Sequence, residues 1–288
     1  MSALRVGVIG TGSSGVQMIP IIAQQARHLT VFQRTANFSL PARNMPMPEE
    51  KERRHKAEYA ARRAAAMETP FAIGGHPKPT KSALEVSEDE RNKAYEAKWQ
   101  EGGSISYLYA YTDLLVNKPS NDTASEFARN KIRGIVKDKK TAELLAPKDH
   151  PIGTKRLCLD TNYYETYNRP NVSLVDVRSD PIDRLTETGL RLKSGAAFEL
   201  DAIVFATGFD AITGAFDRID IRGVDGVSLK DKWADGPTTL LGIMVDGFPN
   251  LMMVLGPHAG LGNIPRAIEF TSDWVTALIR YARERGLT

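Results

Sequence analysis

A single cysteine, Cys158, stands in a chain of 288 residues. It can form no disulfide within the chain, and a reducing, cytoplasmic setting is expected. The five histidines, His28, His55, His76, His150 and His258, show no paired metal-ligand spacing, so no zinc site is indicated. No window approaches the run of about 18 apolar residues that a membrane span requires. Met1-Ser-Ala-Leu4 leads straight into Val6–Ile9, without the cationic and apolar regions of a signal peptide. Lys plus Arg number 38 against 35 for Asp plus Glu, and the resulting +3 is too small an excess to demand a nucleic acid or an anionic membrane as partner. A phosphate loop of the Walker type and a Gly-x-Ser-x-Gly nucleophile elbow are both absent. What remains is ordinary, with 42% hydrophobic, 25% charged and 8% aromatic residues, which excludes disorder. The length suits about two domains of roughly 150 residues each.

Residues 5–35 read as a βαβ unit. Val6–Ile9 is an apolar strand, a glycine-rich turn follows, and Val16, Ile19, Ile22, Ala23 and Ala26 recur at helical spacing before a second strand at Leu29–Phe32. Pro20 removes one helix hydrogen bond, so a bend is expected there. From about Pro41 to Leu145 the chain turns charged and alanine-rich, with helix-start signals at Pro48-Glu49-Glu50, Ser87–Glu90, Thr123–Glu126 and Asp138. This predicts a helical insertion of four or more helices. Strand signals return at Val172–Val177, Leu190–Leu192, Phe198 and Asp201–Phe205, and Pro265–Arg285 reads as a last amphipathic helix with Gly286 at its C′ position.

The chemistry concentrates in Gly10-Thr11-Gly12-Ser13-Ser14-Gly15, set between a predicted strand and a predicted helix, the context of a dinucleotide-binding turn. Gly10 permits the tight turn, Gly12 lets a pyrophosphate approach the backbone, and Gly15 lets helix and strand pack closely, while the helix N–H groups face the anion. At the end of the second strand, where an NAD site places an acid for the ribose 2′-hydroxyl, the chain has Gln33-Arg34-Thr35. A guanidinium there suits the 2′-phosphate of NADP(H), through charge-assisted bonds of about 1.5–3 kcal/mol.

Gly10–Gln17 followed by Val31–Asn37 resembles the NADPH-binding segment of the Baeyer–Villiger flavin-containing monooxygenases, in particular the cyclohexanone and phenylacetone monooxygenase group. Pro151–Arg156, Asp160–Asn168, Ala206-Thr207-Gly208-Phe209-Asp210 and Gly247–Asn250 fit that family in the matching order, so the resemblance covers nearly the whole chain. It implies an α/β fold: a Rossmann-like NADP-binding domain (1–42 and 146–203) with a helical insertion (43–145), followed by the C-terminal part of an FAD-binding domain (204–288). It also implies FAD and NADP(H) as cofactors and a ketone and O2 as substrates, one oxygen atom being inserted to give an ester or lactone. By the same resemblance Gly10, Thr11, Gly12, Ser13, Ser14, Gly15 and Gln17 bind the nucleotide, and Lys155 joins Arg34 and Thr35 at its 2′-phosphate. Arg156 corresponds to the arginine that stabilises the anionic oxygenated flavin and orients the nicotinamide, a task that suits a fixed guanidinium. Thr207 and Gly208 lie where the chain passes back to the FAD domain. Asn263 and Ile264, after Gly256–Gly260, resemble the segment whose helix N-terminus faces the flavin ring.

Full-length members carry, ahead of this point, an FAD-binding dinucleotide motif and a Phe-x-Gly-x-x-x-His-x-x-x-Trp fingerprint. Neither occurs here, so the chain is expected to be truncated relative to them at its N-terminus and to lack a further C-terminal segment. Two readings therefore stand: a fragment of the monooxygenase, or an NADP(H)-binding module without flavin activity of its own, which needs self-association or a complementing FAD half. Residues 205–288 are expected to be the least stable part or to drive association, since they would expose surface meant for the absent half.

Overall fold

Val6, Val8, Leu29 and Val31 alternate with residues that face the other side of two short strands, and all four are buried. The computed structural model describes residues 3–69, 72–75, 78–259 and 262–287. The chain divides into two compact units, Met1–Pro46 with His76–Gly208, and Met47–Gly75 with Phe209–Thr288. The nine strands among the described residues are β1 (Arg5–Ile9), β2 (His28–Gln33), β3 (Ser39–Pro41), β4 (Cys158–Asp160), β5 (Val172–Asp176), β6 (Ile182–Thr186), β7 (Gly189–Leu192), β8 (Ala197–Glu199) and β9 (Ala202–Phe205). The helices are α1 (Ser13–Gln25), α2 (Glu49–Ala57), α3 (Tyr59–Met67), α4 (Glu88–Glu101), α5 (Ser104–Leu108), α6 (Lys118–Ile135), α7 (Lys139–Leu145), α8 (Tyr163–Thr166), α9 (Leu229–Lys232) and α10 (Ile264–Glu284).

In the first unit β5, β2, β1 and β9 form a parallel sheet in that order. β3 and β4 make a second parallel pair, and β6–β8 an antiparallel three-stranded sheet. α1 runs without interruption through Pro20. It buries Val16, Ile19 and Ala23 against Val6, Val8, Leu29 and Val31, at about 1.5–3 kcal/mol for each large side chain removed from water. A second core gathers Phe38, Leu40, Tyr95, Trp99, Tyr107, Leu114, Ile132's neighbour Ala128 and Ile152 beneath α4–α6. Tyr107 and Tyr111 are both buried in it.

The helix starts follow the sequence in three places and depart from it in one. Glu49 opens α2 behind Pro48. Ser87 caps α4 by accepting from Glu90 N (3.2 Å), and Asp138 caps α7 by accepting from Thr141 N (2.8 Å). Thr123–Glu126, which reads as a capping box, lies inside α6 instead. That helix starts at Lys118 with Pro119 in its first turn, and the Thr123 hydroxyl turns back to the Ser120 carbonyl (2.7 Å) and to Tyr95 Oη (2.8 Å). The stretch 43–145 is shared between the units, with α2 and α3 in the second and α4–α7 in the first.

In the second unit Leu229, Trp233, Val245, Phe248 and Met253 form a small core. α10 ends at Glu284, with Gly286 at φ +63° just beyond it. Its sequence is amphipathic, yet Thr271 is its one buried residue, and Ile268, Phe270, Ile279 and Tyr281 are exposed. No helix among the described residues is long and apolar enough to cross a membrane.

Candidate functional site

Parallel pairing puts the C-terminal ends of β1, β2 and β9 side by side, with Ile9 opposite both Phe32 and Phe205. The segments leaving those strands, Gly10-Thr11-Gly12, Arg34-Thr35 and Ala206-Thr207-Gly208, therefore emerge along one edge of the sheet, where open α/β sheets bind their ligands. β5 adds Val177 beyond Asp176, the partner of Gln33. The β3–β4 pair sets Ser39 opposite Cys158 and so brings the Lys155-Arg156 loop to the same side.

These segments line one cavity of about 470 Å³, bounded by Ile9, Gly10, Thr11, Gly12, Phe32, Arg34, Thr35, Ala36, Asn37, Lys155, Val177, Pro181, Ile182, Ala206, Thr207 and Gly208. Arg34 and Lys155 are exposed, and no carboxylate among the described residues forms an ion pair with either. The three glycines differ in what surrounds them. Gly10 sits at φ +107°, and a Cβ there would strike the Ala206 carbonyl. A Cβ on Gly15 would strike the Gly10 carbonyl, which fits close packing of α1 on the turn. Around Gly12 nothing lies within 4 Å of a Cβ position, so this side of the loop is open. Gly12 is also the N-cap of α1, and no side chain caps the first turn. The open backbone, the uncapped helix N-terminus and the two free cations fit a dinucleotide that carries an additional phosphate.

Not every residue singled out in the sequence reaches this cavity. Gly15 is buried behind the loop, and Ser14 and Gln17 are exposed on α1, outside the lining. Ser13 Oγ lies 3.5 Å from Cys158 Sγ. Arg156 is exposed beside the cavity but does not line it, and its carbonyl lies 3.9 Å from the Cys158 thiol. Cys158 also accepts from Asn37 Nδ2 (3.2 Å), so α1, the loop after β2 and the basic loop meet at one sulfur. Burial pushes its thiol pKa up. Asn263 and Ile264 belong to the second unit, where Asn263 caps α10 without a side-chain bond to its first turn. Gly260 and His76 lie outside the described residues.

The sequence alone did not single out Val177, Pro181 and Ile182 as lining residues. They follow β5, and the rule that ligands bind beyond the carboxyl ends of parallel strands could have found Val177. Asp149 and His150 lie just ahead of the basic loop in sequence, outside the cavity lining. Asp149 Oδ1 lies 2.7 Å from His150 Nδ1, and Arg178 Nη1 donates to its Oδ2 (3.3 Å). The bond to His150 holds the Asp149 carboxyl below its ordinary pKa, with a further contribution from the charge of Lys155.

No family model matches the chain. The chain is 46% identical over 286 residues to the 2-oxo-Delta(3)-4,5,5-trimethylcyclopentenylacetyl-CoA monooxygenase of Pseudomonas putida, an alignment covering 99% of this chain and 52% of that protein. It is 42% identical over 288 residues to a Baeyer-Villiger monooxygenase of Pseudooceanicola batsensis, covering 100% of this chain and 52% of that protein. Among solved structures, a crystal structure of OTEMO in complex with FAD and NADP superimposes with a TM-score of 0.95 at 45% identity, covering 99% of this chain and 53% of that one. The chain spans about half the length of the curated relatives it matches. Over nearly all its residues the chain is similar in sequence and fold to Baeyer–Villiger monooxygenases, of which it spans about half.

Proposed function

We propose that this chain carries the NADP(H)-binding part, and a portion of the FAD-binding part, of an FAD- and NADPH-dependent monooxygenase that converts a ketone and O2 into an ester or lactone. The observation that carries this reading is the single cavity in which an open glycine turn, Arg34, Thr35 and Lys155 come together. The nucleotide-binding domain corresponds to the first unit, which keeps all of β9 and the cavity residues through Gly208, and the portion of the FAD domain to residues 209–288 of the second.

The backbone N–H groups at the start of α1 hold the pyrophosphate, with Gly12 giving it room. Arg34 and Lys155, with the Thr35 hydroxyl, hold the 2′-phosphate. Thr207 and Gly208 close the other side of the turn. Arg156 places a permanent cation next to the nucleotide site, where it favours negative charge developing on a neighbouring group. The bound cofactors together supply hydride transfer and the activation of O2. For FAD the chain offers the first turn of α10 at Asn263 and Ile264. Its one Gly-x-Gly-x-x-Gly turn is taken by the NADP reading, so the FAD adenine and diphosphate need a complementing half.

Calorimetric titration of the purified chain with NADP+ and NAD+ tests this. The expected result is NADP+ binding tighter by about tenfold or more, the equivalent of one charge-assisted contact. Equal affinities, or none, would overturn the reading of Arg34 and Lys155. FAD binding and ketone-dependent NADPH oxidation are expected only after a complementing half is added.

A further inference from the structure

We infer that Thr11 is a positioning residue that sets the preference for NADP(H) over NAD(H), acting through the backbone of Thr35 rather than by touching the nucleotide with its hydroxyl. This rests on the reading of the cavity as an NADP(H) site. Thr11 sits in the glycine turn, yet its side chain is buried, with the residue only 4% exposed. Its hydroxyl donates to the Thr35 carbonyl across 3.0 Å. A hydroxyl has one proton to give, and this one is spent on the protein's own backbone.

The place of that bond gives it a specific task. Gly10 N donates to Phe32 O (3.0 Å), the last tie between the turn and β2. Beyond Gln33 the strand ends; Asn37 and Phe38 are tied to Tyr164 and Cys158, and residues 34–36 between these ties belong to no strand. On the far side the Gln33 carbonyl accepts from Val177 N (2.9 Å), and its side chain donates to Leu144 O (2.7 Å). The Thr11–Thr35 bond takes over where the strand stops. With the Gly10–Phe32 bond it brackets Gln33-Arg34, fixing the Arg34 backbone while its side chain reaches the cavity freely. Without the Thr11 hydroxyl, Arg34 and Thr35 would have to be ordered by the ligand, at a cost in affinity. That cost falls on a nucleotide that uses Arg34, which NADP+ does through its 2′-phosphate and NAD+ does not.

The test compares NADP+ and NAD+ affinities of the wild-type chain with those of Thr11→Val, which keeps the shape but not the donor, Thr11→Ala, and Thr11→Ser, which keeps the donor. The expected outcome is a loss of NADP+ affinity of about tenfold in Thr11→Val and Thr11→Ala. NAD+ affinity should move less than about threefold, and Thr11→Ser should return NADP+ binding to within about threefold of wild type. Equal losses for both nucleotides would overturn the inference, because the hydroxyl would then serve the pyrophosphate turn. No loss in either variant would also overturn it. So would unfolding of both Thr11→Val and Thr11→Ala at conditions where Thr11→Ser is folded, since Thr11 would then be a plain structural residue. A wild-type chain that binds neither nucleotide counts against the proposed function itself, whereas each of the other failures leaves it standing.

Discussion

Gly15 packs so closely on Gly10 that a Cβ at position 15 would strike the Gly10 carbonyl, although the two residues belong to one short turn. Gly12, between them, has nothing within 4 Å of its Cβ position. The same substitution should therefore do opposite things at the two sites. Gly15→Ala should destabilise the chain by about 1–3 kcal/mol through overpacking against backbone that cannot yield. Gly12→Ala should cost about 1 kcal/mol or less, the ordinary penalty of alanine at an N-cap, but should remove most NADP+ binding by filling the space a pyrophosphate needs. Thermal unfolding and an NADP+ titration on both variants separate the effects. A Gly12→Ala chain that binds normally would refute the placement of the pyrophosphate at this loop.

The glycine turn was legible because each of its requirements is local: a positive φ at Gly10, a strand before it and a helix period after it. What the sequence did not carry is long-range pairing. Asn37 and Cys158 stand 121 residues apart, and their contact depends on the β3–β4 register, which no local pattern announces. Thr123–Glu126 shows the converse failure: the local signature of a helix start falls inside a helix that begins at Lys118, where the Thr123 hydroxyl bonds Ser120 O and Tyr95 Oη. Likewise the apolar residues of α10 follow a helical period, but the period does not say whether anything covers them. The residues that the family resemblance places in the nucleotide site fall into two groups. Those on the ends of β1, β2 and β9 share a cavity, and Ser14, Gln17 and Arg156 stand outside its lining.

Cys158 should behave as an inert thiol. It is buried, burial raises its pKa, and its sulfur is engaged by Asn37 and Ser13. Since the thiolate is the reactive form, labelling by an alkylating reagent at pH 8 should be slower in the folded chain than in urea by about a hundredfold or more. Comparable rates in the two states, measured by intact mass, would show that the junction under α1 opens readily.

Asp201 gives the sheet a dependence on acid. Its carboxylate accepts from the Arg5 guanidinium (2.9 Å) and from Arg5 N (2.7 Å), joining the start of β1 to the start of β9, and Arg5 also pairs with Glu199. The side-chain bond from Arg5, followed by the backbone bond, lowers the Asp201 pKa to about 2. A carboxylate titrates at about 4 in the unfolded chain, so the stabilisation is fully present above that value. It is lost as the pH falls from about 4 towards 2, when Asp201 takes up a proton in the folded state too. Asp201→Asn should therefore lower Tm at neutral pH and show a shallower fall of Tm across that acid window than wild type. Parallel Tm curves for the two proteins would mean that the pair contributes nothing to the pH dependence.

α10 should exchange its amide hydrogens faster than β1 and β2. The free energy of local opening follows the apolar contact that must be broken, and the two strands bury Val6, Val8, Leu29 and Val31 in the main core. α10 is longer than either strand, yet Thr271 is its one buried residue, while Ile268, Phe270, Ile279 and Tyr281 stand exposed along it. Packing of an amphipathic face, more than helix propensity, supplies most helical stability in proteins, and α10 buries little of its apolar face. Native-state hydrogen exchange at low protein concentration should show α10 opening through local fluctuations while β1 and β2 exchange only on global unfolding. Protection in α10 equal to that of β1 at every concentration would contradict this. Protection that rises with concentration would instead show that association covers the exposed residues, the behaviour expected if this part of the chain is built to meet a complementing half.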